Sequence, residues 1–171
     1  MKGINPSIDK TCCFTGPRVK NLPWKNEDEL HIKPLMEKLE AEIIKAIDNG
    51  YRHFITGMAN GVDTYCARIV LKLRKTMPDL GITLEAAIPH LTQDKGFTPA
   101  QKNEYSEILS KCYKSTIITQ ESSTQAYHIR NRYMVDNSSL VIAVSSDKPS
   151  GTMKMIEYAQ KQGKRVVIIQ P

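Results

Sequence analysis

The stretch "FITGMANGVDTYCA", Phe54–Ala67, joins two periodicities that cannot belong to one element, and it decides the fold. Its first residues complete a short apolar run, "RHFIT" from Arg52 to Thr56, of strand length. From Val62 onward, Val62, Tyr65, Cys66, Ile69, Val70 and Leu73 recur at spacings of three and four, the period of a helix with one buried face. Between them lie small and turn-forming residues, with Gly57 and Gly61 removing side chains from the turn. A strand that passes through a bare turn into an amphipathic helix is half of a βαβ unit.

The same alternation extends in both directions. Upstream, "TCCFT" (Thr11 to Thr15) reads as a strand, and a helix is expected from near Lys33, with Pro34 in its first turn and a core stripe of Leu35, Met36, Leu39, Ile43 and Ile47. Asn49 and Gly50 stop it. Downstream come a strand from Ile82, a helix over Pro99 to Cys112, the strand "STIIT" at Ser115 to Thr119 and a helix over Thr124 to Asp136. The apolar strand "SLVIAVS" from Ser139, a helix from Gly151 and the strand "RVVII" from Arg165 complete the series. Right-handed crossovers then place helices on both faces of a mostly parallel sheet: an α/β, Rossmann-like three-layer domain over residues 1–171.

Composition bounds the function. A chain of 171 residues with 40% hydrophobic content suits one core, and a net charge of +6 favours anionic partners without choosing among metabolites, nucleic acid and membranes. No run approaches the roughly 18 apolar residues of a membrane span. Cys12, Cys13, Cys66 and Cys112 lie in apolar or amphipathic runs, and with no signal-like start they read as reduced core thiols of a cytoplasmic protein. His31, His53, His90 and His128 are scattered, so no metal site is expected. The string Arg68, Lys72, Arg74 and Lys75 reads as the wet face of its helix.

Ligands of such sheets bind beyond the carboxyl ends of the strands. Three loops there are unusual: "TGPR" (Thr15 to Arg18), "TGMANGVD" (Thr56 to Asp63) and "SSDKPSGT" (Ser145 to Thr152). The helix start at Gly61, preceded by Asn60, is expected to offer free N–H groups to a phosphate, and Ser150, Gly151 and Thr152 repeat the arrangement with two hydroxyls. Arg18 adds a forked cation. A carboxylate at Asp63 would repel an anion, so it either caps its own helix or accepts from ribose hydroxyls. In "YHIRNRYMVD" (Tyr127 to Asp136), Arg130, Asn131 and Arg132 cannot all share one helix face, and at least one is expected in solvent. There is no GxGxxG after a strand, no GxxxxGK[ST] and no nucleophile elbow.

Taken in order, "CCFTGPR", "LPW" at Leu22 to Trp24, "FITGMANGVD", "LEAAIP", "RNRYMVD" and "SGT" resemble the YpsA/YoqJ-like family of the SLOG superfamily, which also holds the DprA DNA-processing proteins and the LOG enzymes. The resemblance runs from about Thr11 to Ile169. It implies a Rossmann-like fold whose strand-end loops bind a nucleotide or a nucleotide-derived ligand of the ADP-ribose or NAD-derivative type, in a bacterial or phage setting, with no cofactor required. Ligand-binding residues carried over are Gly16, Arg18, Thr56, Gly57, Met58, Ala59, Gly61, Asp63, Arg130, Asn131, Ser150, Gly151 and Thr152. The family's GHRP run is here Gly16-Pro17-Arg18-Val19, and Ser150 replaces its second glycine.

The enzymatic branch carries GGxGTxxE, whose glutamate assists N-glycosidic cleavage. Counting from Gly151-Thr152 puts Met155 there, so the expectation leans toward a sensor or sequestering protein rather than an enzyme. The catalytic candidates for the alternative, a hydrolase of nucleoside monophosphates or NAD-like molecules, are Arg130, Asp63 and Glu157. A second alternative is a DprA-like binder of single-stranded DNA, for which a 6% aromatic content offers few stacking platforms. A homodimer through an apolar helix face is a further possible partner arrangement.

Overall fold

The computed structural model describes residues 5–24, 27, 29–146 and 148–171. Six strands, β1 (Thr11–Thr15), β2 (His53–Thr56), β3 (Thr83–Ile88), β4 (Lys114–Ile117), β5 (Leu140–Val144) and β6 (Arg165–Ile169), form one sheet in the order β4-β3-β2-β1-β5-β6. All five pairings are parallel. Five helices connect them: α1 (Glu29–Asp48), α2 (Val62–Thr76), α3 (Pro99–Lys111), α4 (Thr124–Asp136) and α5 (Gly151–Lys161).

Alternation along the strands divides the core between the two faces. Cys12, Phe14, Phe54, Leu84, Leu140 and Ile142 pack with Leu35, Leu39 and Ile43 of α1, with the apolar face of α2 and with Tyr105 and Ile108 of α3. Cys13, Ile55, Ala87 and Val141 point the other way, against Met134 and Val135 of α4 and Met155 and Ala159 of α5. β1, β2, β5 and most of β3 are buried, which is why they read as apolar runs. The chain advances outward from β1 to β4, then returns to lay β5 on the other side of β1. That reversal makes the carboxyl ends of β1 and β5 the topological switch point, where a crevice opens.

The start of α1 is corrected. It begins at Glu29, so Pro34 stands in the second turn and not the first. Packing overrides the backbone bond that proline cannot donate: Ile32 packs against the core, and Trp24 stacks on His31 at 5.5 Å, anchoring the turn ahead of the proline. β4 starts one residue earlier than expected, at Lys114, and its bonding to β3 continues beyond the strand through the amides of Ile118 and Thr119.

Candidate functional site

A cleft of about 820 Å³ opens at the switch point. Of the expected site residues, Gly16, Arg18, Ala59, Asp63, Arg130, Asn131, Ser150, Gly151 and Thr152 line it. Thr56, Gly57, Met58 and Gly61 do not; all four are buried behind it.

The glycines of the β2–α2 turn have a different role from the one expected. Arg18 and Gly61 form an antiparallel bridge, with Val62 N donating to Pro17 O at 3.2 Å and Val19 N to Asn60 O at 3.3 Å. Gly61 holds φ at 126°, and a Cβ there would stand 2.6 Å from the Pro17 carbonyl oxygen. A Cβ on Gly16 would stand 2.6 Å from the Val62 side chain. Bare backbone therefore lets the two loops close on each other.

Four amides at this turn are taken by the protein itself. Met58 N donates to Thr56 Oγ1 (3.2 Å), Ala59 N to Asp63 Oδ2 (3.2 Å), Gly61 N to Thr64 Oγ1 (3.3 Å) and Val62 N to Pro17 O. Those four donors are thus withdrawn from the expected phosphate cradle at Gly57 to Gly61, while the amides of Gly57, Asn60, Asp63 and Thr64 have no acceptor among the described residues.

Asp63 and Arg130 form the floor of the cleft. Arg130, buried on α4, donates through Nη1 to the Gly57 carbonyl, stands 3.8 Å from Asp63 Oδ2 and turns Nε to Asn131 Oδ1 at 2.9 Å. Gln93 Nε2 donates to the same carbonyl at 2.8 Å and is held by Tyr105. Burial pushes the Asp63 carboxyl above its ordinary value, while Arg130, the Ala59 amide and Arg18 pull it back. Burial lowers Arg130 from its usual value, and Asp63 opposes that. Oδ1 of Asp63 accepts no hydrogen bond among the described residues, so one lone-pair edge of a cleft-lining carboxylate is available. Of the three adjacent polar residues, Arg130 is buried, Asn131 half-buried, and Arg132 exposed over the Tyr158 ring.

The start of α5 is the open one. Ser150 Oγ caps it by accepting from Met153 N at 3.2 Å, so the side chain that replaces the family's glycine serves the helix. Among the described residues the amides of Gly151 and Thr152 donate to no protein acceptor, and both residues line the cleft. Met155 is 3% exposed and packs in the core against the sheet. Glu157 is exposed and lies outside the cleft lining. Neither position brings a carboxylate to the cleft.

Two neighbours were not singled out as site residues in the sequence, His90 and Tyr127. His90 follows the carboxyl end of β3, is 3% exposed and has Nε2 3.2 Å from the Tyr127 hydroxyl. Tyr127 lines the cleft one helical turn before Arg130. Position was the available signal: a histidine two residues past a strand end, and an aromatic three before the buried arginine.

The basic residues of α2 sit at its surface as expected, with Arg68 on Glu104, Lys72 on Glu40 and Arg74 on the Lys111 carbonyl. Burial pushes the Cys13 thiol up to about 12 and raises Cys12 and Cys66 as well, so none of these is a ready thiolate. Among the described residues no three His, Cys, Asp or Glu side chains gather as a metal site, and no helix is long and apolar enough to cross a membrane.

Comparison with known proteins places this architecture. The YpsA family model, described as the YspA SLOG family, matches residues 12–170. The chain belongs to that family. This YpsA-family chain is 26% identical over 156 residues to the UPF0398 protein of Halalkalibacterium halodurans, covering 90% of this chain and 82% of that one. It is 24% identical over 157 residues to the UPF0398 protein of Bacillus cereus strain Q1, covering 90% and 84%.

Among solved structures it is similar to DNA processing protein A (DprA) of Streptococcus pneumoniae, with a TM-score of 0.57 and 16% identity, covering 93% of this chain and 50% of that chain. It is also similar to DNA processing protein A of Helicobacter pylori, a structure reported for its single-stranded DNA binding mode, with a TM-score of 0.61, 18% identity and coverage of 94% and 65%. The YpsA-family chain thus spans half to two-thirds of the length of these DprA chains, and the likeness is one of fold.

Proposed function

We propose that this protein binds a nucleotide-derived anion, of the ADP-ribose or NAD-derivative type, in the cleft between the β1 and β5 loops, and acts as a sensor or sequestering protein. The observation that carries the reading is the start of α5. Gly151 and Thr152, whose amides have no protein acceptor among the described residues and stand at the positive end of a helix, line the same cleft as the cationic Arg18 and Lys20. Asp63 supports a sugar contact, since its Oδ1 edge accepts hydroxyl donors while Arg130 balances its charge. The cleft volume lies within the roughly 300–1,000 Å³ of small-molecule sites.

Binding without turnover is supported by Met155, which packs in the core at the position of the enzymatic branch's glutamate. Calorimetry with ADP-ribose, NAD and AMP tests the reading, followed by chromatography of the incubated ligands. Saturable binding with intact ligand is expected. Folded protein that binds none of the three overturns the reading, and cleaved AMP or NAD replaces it with the hydrolase.

The DprA-like fold and the charge of +6 favour one second reading, single-stranded DNA. It predicts oligonucleotide affinity that falls steeply with salt, without competition by ADP-ribose.

A further inference from the structure

Arg18 combines a pinned backbone with an uncommitted head group. Its main chain is bridged to Gly61, and the flanking Pro17 and Val19 are bonded to Val62 and Asn60. Its guanidinium donates no hydrogen bond to the described residues and rests over the Tyr127 ring, with Cζ 5.3 Å from the centroid. A cation over an aromatic face is restrained while its N–H donors stay available.

The ring is itself held in place. The Tyr127 hydroxyl lies 3.2 Å from His90 Nε2, and the two rings meet edge to face at 5.4 Å and 82°. Buried His90 is oriented in turn by Thr92 Oγ1, 3.2 Å from Nδ1, with Ser122 Oγ 3.4 Å from Nε2. The Arg130 guanidinium, 5.8 Å from the same ring, is fixed by Gly57 and Asn131. An exposed arginine would otherwise sample many rotamers and lose that freedom when a ligand orders it.

Resting on the ligand reading above, we infer that Tyr127, clamped by His90, is a positioning residue that pre-sets Arg18 for an anionic group of the bound nucleotide. Tyr127 acts through Arg18, and its loss is felt only while Arg18 is present. That dependence separates positioning from a general structural role, which would weaken binding whether or not Arg18 were there.

A double-mutant cycle with ADP-ribose as the probe tests this, using calorimetry on wild type, Arg18→Ala, Tyr127→Leu and the double variant. Arg18→Ala is expected to weaken binding about 10–100-fold, as for a lost charge-assisted hydrogen bond. Tyr127→Leu is expected to weaken it about tenfold, and less than twofold further once Arg18 is absent. Tyr127→Phe and His90→Gln, which keep more of the packing, are expected to lose about threefold each, again only with Arg18 present. Equal losses in both backgrounds, or unchanged binding in Tyr127→Phe, His90→Gln and a folded Tyr127→Leu, overturn the inference. Wild-type protein that is folded but binds none of ADP-ribose, NAD and AMP removes the ligand reading, and this inference with it.

Discussion

Arg130 reaches the carbonyl of Gly57, which lies 73 residues earlier in the chain. The contact ties α4 on one face of the sheet to the turn that launches α2 on the other. It exists because Gly57 has no side chain: a Cβ there would stand 2.6 Å from Arg130 Cζ and 2.7 Å from Asp63 Oδ2.

Gly57→Ala is therefore expected to destabilise the fold by about 1–3 kcal/mol, the usual range for forced overpacking. Arg130→Ala is expected to cost more, about 3–5 kcal/mol, because it leaves the buried Asp63 without its counter-charge. Urea unfolding midpoints read both, and Arg130→Ala with wild-type stability would show that the pair does not hold the turn.

Acid should unfold the protein partly through Glu85. Burial alone would raise this carboxyl, but hydrogen bonds from His53 (2.9 Å), Tyr133 (2.6 Å) and Thr116 (2.8 Å), with Lys114 nearby, hold it at about 2 instead of 4.5. A carboxyl lowered in the folded state contributes stability above its unfolded value and loses it as pH falls from about 4.5 toward 2. After discounting for solvent screening, the contribution is roughly 2–3 kcal/mol. Denaturant titrations at stepped pH should show this slope in wild type and a flatter one in Glu85→Gln.

Asp63 has the opposite sign. Its raised carboxyl favours the folded state most below the unfolded value, and that advantage fades as pH rises through the folded one. Asp63→Asn should therefore gain stability relative to wild type between acid and neutral pH. A constant difference across that range would mean that the carboxyl is not raised.

Loop closure should depend on Gly61. Gly61→Ala places a Cβ against Pro17 O and an L side chain at φ 126°, so a loss of about 1–3 kcal/mol is expected, with weaker ADP-ribose binding because Arg18 shifts. Unchanged loop protection in hydrogen exchange would contradict it.

Where structure follows from local pattern, the sequence was readable. α4 spans Thr124–Asp136, around the bounds its pattern suggests, and the buried stripe of α2 runs through Val62, Tyr65, Cys66, Ile69, Val70 and Leu73 as its spacing requires. Helices on both faces of the sheet followed from the order of the elements. The occupation of the Met58, Ala59, Gly61 and Val62 amides was not readable, because one acceptor, Pro17 O, comes from a separate loop and others from side chains folded back on the turn. Gly57 and Gly61 signal close approach in any sequence, but what approaches is settled by tertiary packing: a guanidinium in one case and a second loop in the other. His90 and Tyr127 meet only because β3 and α4 converge at the rim. The early start of α1 required the contacts of Ile32 and His31, which the proline obscured.

The most direct test exploits the first helical position of α5. Gly151 follows Ser150, whose φ of −161° and ψ of 170° suit a residue before proline, and a Cβ at Gly151 would meet nothing within 4 Å. Gly151→Pro thus removes one cleft amide while the helix keeps its cap, and Gly151→Ala keeps the amide. Calorimetry with ADP-ribose should give near wild-type affinity for Gly151→Ala and about 10–100-fold weaker binding for Gly151→Pro, at equal urea stability. Equal affinity in Gly151→Pro and Gly151→Ala would contradict the assignment of the α5 start as the seat of the ligand's phosphate.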